Sequence, residues 1–235
     1  MSAAPRGGGR VFAVLTGDLI ASRQLSTERL AGTRACLAAG AAQFRRWQPR
    51  ALSGAPEVFR GDAWQLALRE PRWALRVALL LRALLLARND VLTRVSIGIG
   101  AVDAVNTRRI SLSTGEAFTL SGHALDRITG YFDLTGALPE RAAPLAAWFP
   151  AMLHLCSGLI RPWTRRQAEI VSLALLADNP THESIAASLR PRVSKQSVTE
   201  SLAAARWRPL LEGIQVFEAA DWDKLIGLSD TRQAD

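Results

Sequence analysis

Two Gly-Asp pairs in the first third of the chain carry the side chains with the clearest potential for chemistry. Gly17-Asp18 closes an apolar run of β-branched and aromatic residues, and Gly61-Asp62 divides a second such stretch at 58–68. Glycine allows a sharp turn or a close approach of the backbone, so each pair puts an aspartate at the end of a strand. Turn formation alone is the alternative explanation for both pairs.

The elements around these pairs decide whether the two aspartates meet. Apolar periodicity and breaker residues predict strands at 11–15, 56–60, 63–69 and 94–102, and helices from Ser26 or Thr27 to about Trp47 and from Pro71 to Arg88. The order β-α-β-β-α-β is that of a ferredoxin-like, or split βαβ, unit. In that topology the first and third strands are central, adjacent and antiparallel. Asp18 and Asp62 then lie at the same edge of the sheet.

Converging carboxylates point to a metal site. Two such groups repel each other unless a cation lies between them. Oxygen ligands suit Mg²⁺ or Mn²⁺, and magnesium held by one or two carboxylates usually completes its shell with water and substrate phosphates. We therefore expect Asp18 and Asp62, beside Gly17 and Gly61, to form a metal–nucleotide site. No lysine precedes residue 195 and no GxxxxGK[ST] motif occurs, which excludes a P-loop NTPase.

Four segments within residues 10–135 resemble the SatD family of bacterial proteins. They are TGDLIASR, FRGDAWQL, RVSIGIGAV and SLSTGEAFTLSGHAL, and in outline they are similar to the catalytic domains of class III nucleotidyl cyclases. The resemblance implies that Asp18 and Asp62 bind the metal together with the backbone carbonyl of Leu19. It also implies that Arg94 opens the strand that matches the arginine-glycine-isoleucine strand of the cyclases.

The segment that begins at Gly115 departs from the cyclase pattern where turnover depends on it. Cyclases carry an asparagine and, four residues later, an arginine on the corresponding helix, and these groups hold the ribose and triphosphate in the transition state. Thr119 and His123 occupy those positions here. Neither supplies a guanidinium, and loss of such stabilisation usually costs orders of magnitude in rate. The resemblance thus favours nucleotide binding over cyclisation. Three arginines could replace the missing one: Arg108, Arg109 and Arg127.

Small polar residues around the same helix leave two further alternatives open. Ser111, Ser113, Ser121 and Gly122 could line a phosphate loop or simply cap the helix. Glu116 could be an additional metal ligand, or only a favourable charge in the first helical turn.

A second signal lies in residues 164–207, where three short helices are predicted. Thr164 and Gln167 form a T-x-x-Q capping box, and Thr181 and Ser194 can cap the next two helices. The segment is similar to the helix-turn-helix of LuxR-type response regulators and sigma factors, which implies that its third helix enters the major groove of DNA. The residues expected to contact DNA are Arg165, Arg192, Lys195, Gln196, Ser197 and Thr199. A three-helix dimerisation or packing module is the alternative.

The composition is ordinary for a soluble globular protein with a polyanionic partner. Hydrophobic residues make up 49% and charged residues 21%, and the net charge of +8 favours nucleotide or nucleic acid as the partner. The longest apolar region, 77–87, contains Arg82 and is too short to span a bilayer. No secretory signal is recognisable, so we expect a cytoplasmic protein without a membrane partner. Cys36 and Cys156 are expected to be buried, and the histidine spacing argues against zinc.

These observations predict an α+β protein in two parts. The predicted boundaries are a disordered segment 1–9, a ferredoxin-like nucleotidyl-cyclase-like domain 10–138, a connecting helix 139–162, an all-α helix-turn-helix domain 163–228 and a frayed tail 229–235. A last helix is expected to begin at 207–211, and Ile214–Phe217 to pair as a short strand. The favoured function is a nucleotide- and metal-responsive, DNA-binding regulator that forms a homodimer. An active Mg²⁺- or Mn²⁺-dependent cyclase or transferase with a C-terminal dimerisation module, and a ligand-free scaffold, are the alternatives.

Overall fold

A computed structural model of the chain describes residues 10–59 and 61–227. It is a mixed α/β structure in which one five-stranded mixed sheet is covered by helices on both faces. Among the described residues, no helix combines the length and apolar character needed to cross a membrane. The segments predicted to be disordered or frayed, 1–9 and 229–235, lie outside the described residues.

The sheet has the strand order β2-β3-β1-β4-β5. The strands are β1 Arg10–Leu19, β2 Leu52–Phe59, β3 Ala63–Leu68, β4 Thr93–Val102 and β5 Leu134–Ala137. β1 lies at the centre and is antiparallel to both β3 and β4. β2 is antiparallel to β3, and β5 is parallel to β4. The first four strands overlap the four predicted from the sequence, whereas β5 was not predicted.

The helices follow the predicted order, with one correction near the C-terminus. They are α1 Thr27–Trp47, α2 Ala74–Asn89, α3 Glu116–Asp126, α4 Leu145–Ile160, α5 Arg165–Ala174, α6 His182–Ser188, α7 Lys195–Ala204, α8 Trp207–Ala219 and α9 Trp222–Leu225. The predicted strand at Ile214–Phe217 is wrong, because these residues belong to α8. Leu210, Ile214 and Phe217 are buried on one face of that helix. Their spacing of four and three residues is the helical period, which overrides the short apolar run.

The hydrophobic core runs without a break from the sheet into the C-terminal helices. α2 is its centre, and every residue from Ala74 to Leu86 is buried. A helix that is buried all round must be enclosed on several sides. α1 packs against α2 from one side and α5 packs against it from another. The helical C-terminal part is therefore packed onto the α/β part through α2.

An ion pair between buried Arg76 and partly buried Glu218 connects these two parts. Arg76 of α2 donates through Nε and Nη2 to the carboxylate of Glu218 in α8, at 2.5 and 3.0 Å. Its guanidinium also lies 5.3 Å from the ring centroid of Trp47. Buried charges need a partner of this kind, because an unpaired charge is costly away from water.

Both cysteines are free and buried, as the sequence predicted. Burial raises the pKa of the Cys156 thiol to about 11, from an ordinary value of 9.0. Burial also raises the pKa of Cys36, which the nearby charge of Arg88 partly opposes. The folded state therefore keeps both thiols protonated at pH values where the unfolded chain loses the protons.

Alkaline pH should destabilise the protein through Cys156. The protonated thiol's contribution to the free energy of unfolding is fully present below pH 9. It is lost as the pH rises from about 9 to about 11, and the total loss is about 2–3 kcal/mol. Urea unfolding at several pH values should show that the free energy of unfolding falls less between pH 9 and pH 11 in Cys156→Ala than in the wild type. Tyr131→Phe is the matched control, because the chain has a single tyrosine and its side chain is exposed. An unchanged pH dependence in Cys156→Ala would contradict this assignment.

Candidate functional site

Asp18 and Asp62 lie at the same end of the sheet. The backbone N–H of Leu19 donates to the carbonyl oxygen of Asp62 at 3.1 Å. Asp18 itself pairs in register with Ala63 of β3. Gly61 has a φ of +88° in the turn that enters β3, a conformation that glycine adopts without strain. The two Gly-Asp pairs thus bring their backbones together.

The two carboxylates nevertheless have different partners. Asp18 forms a two-pronged ion pair with Arg94, its neighbour on β4. Arg94 Nε donates to Oδ1 at 2.9 Å, and Nη2 donates to Oδ2. The hydrogen bonds to Asp18 raise the pKa of Arg94. Asp62 Oδ2 instead accepts a hydrogen bond of 2.5 Å from the hydroxyl of Ser22. The charge of Asp18 is therefore balanced by a guanidinium.

The donor set at this end of the sheet has the right chemistry for a divalent cation. Two carboxylates and the Leu19 carbonyl are hard oxygen donors of the kind that Mg²⁺ and Mn²⁺ prefer. Within residues 10–59 and 61–227, no cluster of three or more His, Cys, Asp or Glu side chains is placed to hold a metal. Both oxygens of Asp18 are bonded to Arg94. A metal ion at Asp18 would therefore either share this carboxylate with Arg94 or displace the guanidinium.

Gly17 serves the packing of a tryptophan. A Cβ at this position would lie 2.4 Å from the indole of Trp64, which is fully buried. The indole Nε1 donates to Thr93 Oγ1 at 2.9 Å, and that hydroxyl donates to the Asp18 carbonyl at 2.7 Å. The tryptophan thus fixes the strand end that carries Asp18, and only glycine leaves room for it.

Three further residues were expected at the nucleotide site: Gly115, Thr119 and His123. The first of them, Gly115, lies at the opposite end of β4. A Cβ on Gly115 would lie 2.6 Å from the Cα of Val102. Val102 is eight residues beyond Arg94 on the same strand, roughly 26 Å away at the usual rise per residue. Thr119 and His123 lie on α3 and are exposed to solvent. Within one copy of the chain, Gly115 is therefore not brought together with Arg94.

The polar residues around α3 mostly have structural partners. Glu116 accepts hydrogen bonds from Arg141 at 2.6 and 2.5 Å and from the Ala101 N–H at 3.1 Å. Partial burial opposes ionisation of Glu116, but Arg141 and the Ala101 N–H outweigh it, so its pKa is lowered. Ser121 is buried and lies 2.8 Å from the hydroxyl of Thr16. These contacts attach α3 to the sheet.

In the C-terminal part, α5, α6 and α7 form a group of three short helices. Each is capped as the sequence predicted: Thr164 forms the capping box of α5, and Thr181 and Ser194 accept hydrogen bonds at the starts of α6 and α7. Val198 and Leu202 of α7 are buried. Four polar residues at the start of the same helix are exposed: Lys195, Gln196, Ser197 and Thr199.

Carboxylates lie beside these exposed residues. Lys195 Nζ is 3.3 Å from Glu183 Oε1, and Gln196 Nε2 donates to Glu200 Oε1 at 3.0 Å. The Thr199 hydroxyl donates to the Lys195 carbonyl at 3.0 Å. The start of α7 is thus a mixed polar surface on which the cation is already paired.

The two arginines predicted to contact DNA have different settings. Arg192 is exposed, two residues before the cap of α7. Arg165 stands at the start of α5, and its Nη2 donates to the Ala87 carbonyl of α2 at 3.4 Å. Arg192 therefore adjoins the polar surface of α7, whereas Arg165 contacts the α/β part of the molecule.

Sequence reasoning missed a cleft of about 450 Å³ beside the Asp18–Arg94 pair. Arg94, Asp133 and Arg161 contribute its charged groups. Asp133 precedes the unpredicted strand β5, and Arg161 ends α4. One signal could have pointed to a buried carboxylate partner such as Asp133, since Arg82 interrupts the apolar run 77–87 and must find a counter-charge.

Arg82 and Asp133 form that buried pair. Arg82 Nη2 donates to Asp133 Oδ2 at 2.8 Å, and Arg82 Nη1 donates to the Ile160 carbonyl at 3.1 Å. Burial lowers the pKa of Arg82, although the hydrogen bond and charge of Asp133 oppose this. The pair ties α2 to the end of α4 and to the start of β5.

Comparison with known proteins adds no family assignment. No protein-family model matches the chain, and no curated protein matches it. The resemblance to the SatD family therefore stays a prediction from the sequence.

Proposed function

We propose that the chain is a DNA-binding regulatory protein in which α5, α6 and α7 act as a helix-turn-helix. In this proposal the α/β part is a ferredoxin-like domain of the SatD type. The observation that carries the proposal is the two-sided character of α7. Val198 and Leu202 anchor one face in the core, while Lys195, Gln196 and their polar neighbours are exposed at the start of the helix. Recognition helices place this region against base edges in the major groove.

The side-chain types on this surface suit DNA. Lys195 and Arg192 can neutralise phosphates, and glutamine can pair with the N6 and N7 atoms of adenine. The nearby carboxylates, Glu183 and Glu200, must then give up their partners. The Lys195–Glu183 pair is exposed, and exposed ion pairs contribute about 0–1 kcal/mol, so a phosphate can replace Glu183 at little cost. The Gln196–Glu200 hydrogen bond is exposed as well. Proteins of this type bind paired half-sites, so the proposal includes a homodimer.

Fluorescence anisotropy with labelled duplex DNA tests the proposal. Affinity should fall steeply between about 50 and about 200 mM salt, with a log–log slope of about −0.9 for each neutralised phosphate. For an operator selected from random duplexes, Gln196→Ala should cost about 1–3 kcal/mol of sequence preference. Arg192→Ala is the matched comparison, and it should weaken binding to all duplexes alike. Absence of duplex binding at low salt would contradict the proposal.

One observation favours a second candidate function, the binding of a nucleotide complexed with Mg²⁺ or Mn²⁺. The hydrogen bond from Leu19 to the Asp62 carbonyl brings the backbones of Asp18 and Asp62 to one end of the sheet. A bound cation would neutralise their charge and present the nucleotide phosphates, and Arg94 could exchange Asp18 for a phosphate oxygen. Thr119 and His123 stand where the resemblance to the cyclases places the transition-state asparagine and arginine, so this candidate function is binding without cyclisation.

Thermal-shift measurements with ATP or GTP and Mn²⁺ test this candidate. A ligand that binds only the folded state raises the unfolding midpoint. The shift should disappear in Asp18→Asn and in Asp62→Asn and persist in Asp103→Asn, whose side chain is exposed at the other end of β4. A Mn²⁺-dependent shift that survives in both site variants would exclude this metal site.

A further inference from the structure

The cleft beside the Asp18–Arg94 pair is built from four separate parts of the chain. The end of β1 with the residues after it, the start of β4, the loop before β5 and the end of α4 contribute its walls. Apolar side chains form much of this lining: Leu19, Ile20, Leu92 and Phe132. Its volume of about 450 Å³ is in the range of small-molecule sites. Ala21, also in the wall, has a φ of 55°, which is uncommon for a residue other than glycine.

Among the residues that line the cleft, Arg94 and Arg161 are positively charged and Asp133 is negatively charged, so positive charge is in excess. Three guanidiniums, those of Arg82, Arg94 and Arg161, share the two carboxylates of Asp18 and Asp133. Arg82 and Asp133 are buried and engage each other at 2.8 Å. Arg94 and Arg161 line the cleft, and their side chains are 33% and 44% exposed. The two accessible arginines are therefore the groups that a ligand can reach.

Arg161 is held in place mainly by the backbone. Its Nη1 donates to the Gly130 carbonyl at 3.1 Å and also to the Tyr131 carbonyl. Its contact with Asp133 is loose, with 3.8 Å between Nε and Oδ1. Asp133 is already hydrogen-bonded to Arg82. A phosphate can therefore bind the Arg161 guanidinium in place of Asp133 without leaving Asp133 unpaired.

We propose that this cleft binds a small molecule with a phosphate group, and that Arg161 and Arg94 hold the phosphate. Guanidiniums match phosphate oxygens in pairs, and the apolar wall with Phe132 suits a base or another flat apolar part of the ligand. This inference deepens the second candidate function and rests on it for the identity of the ligand as a nucleotide. The phosphate site itself needs no metal, because the two guanidiniums contact the phosphate oxygens directly.

Calorimetric titration of the full chain with inorganic pyrophosphate in excess EDTA tests the phosphate site. The wild type should bind it, and Arg161→Gln should lower the affinity by about tenfold or more, since it removes a charged two-pronged contact. Arg208→Gln is the matched control, because the Arg208 side chain is 92% exposed on α8. Its affinity should stay within about twofold of the wild type, the expected result for an exposed charge that does not line the cleft.

Two further variants separate this site from the metal site. Asp18→Asn frees Arg94 from its ion pair, so pyrophosphate binding in EDTA should be kept or strengthened while Mn²⁺-dependent nucleotide binding is lost. If circular dichroism shows that Arg161→Gln is unfolded, Arg161→Lys replaces it, and its affinity should also fall because lysine cannot make the paired contact. No binding by the wild type, or equal binding by the folded Arg161 variant, would overturn the inference. Metal-free binding without any Mn²⁺-dependent binding would leave this site intact and remove only the metal site.

Discussion

Replacing Asp133 by alanine is expected to lower the free energy of unfolding by about 3–5 kcal/mol. Asp133 and Arg82 are 4% and 1% exposed, so neither can turn to solvent. Removal of the carboxylate leaves the guanidinium of Arg82 buried without its counter-charge, and Arg82 Nε already lacks a hydrogen-bond partner. Urea unfolding followed by circular dichroism measures the effect. Asp126→Ala, at the exposed end of α3, should change stability by no more than about 0.5 kcal/mol.

A double variant distinguishes the unpaired charge from simple loss of packing. Arg82→Met combined with Asp133→Ala removes both charges and keeps a long apolar side chain in α2. The double variant should be more stable than Asp133→Ala alone, because a buried charge without a partner costs more than an apolar replacement. If the double variant is no more stable, or if Asp133→Ala costs less than about 1 kcal/mol, the pair does not have the assigned role.

Four of the five strands and most helices could be predicted because their signals are local. Alternation in RVSIGIGAV, capping residues before α5, α6 and α7, and prolines at helix ends act over a few residues. The same logic placed Val198 and Leu202 inside α7, at a spacing of one helical turn. Gly61 marked the tight turn into β3.

The features that escaped prediction depend on contacts between distant segments. β5 has only four residues, and Gly136 within it is needed because a Cβ there would lie 2.6 Å from Phe149 and from Leu153 of α4. The pairing of Asp18 with Arg94 follows from the register of β1 on β4, which no local pattern reveals. The predicted topology assigned Asp18 to a metal, and resemblance assigned Arg94 to the nucleotide site, whereas in the structure the two side chains neutralise each other.

Charge reversal at Lys195 is expected to weaken duplex DNA binding by about 30-fold, or about 2 kcal/mol, at low salt. The substitution Lys195→Glu removes one cation from the start of α7 and adds a repulsive charge beside Glu183. The slope of the logarithm of the binding constant against the logarithm of the salt concentration should become shallower by about 0.9, because one phosphate contact is lost. Lys224→Glu is the matched control. Lys224 is the other lysine of the chain and is exposed on α9, so its reversal should change affinity by less than about threefold.

The most direct test of DNA recognition by α7 is the acetylation rate of the two lysines, measured by mass spectrometry with and without saturating duplex DNA. The Lys195 side chain is 62% exposed, and Lys224 is exposed as well, so both react in the free protein. If α7 lies in the major groove, DNA should slow acetylation of Lys195 severalfold and leave Lys224 unchanged. An equal rate at Lys195 in the free and DNA-bound protein would contradict the proposed helix-turn-helix.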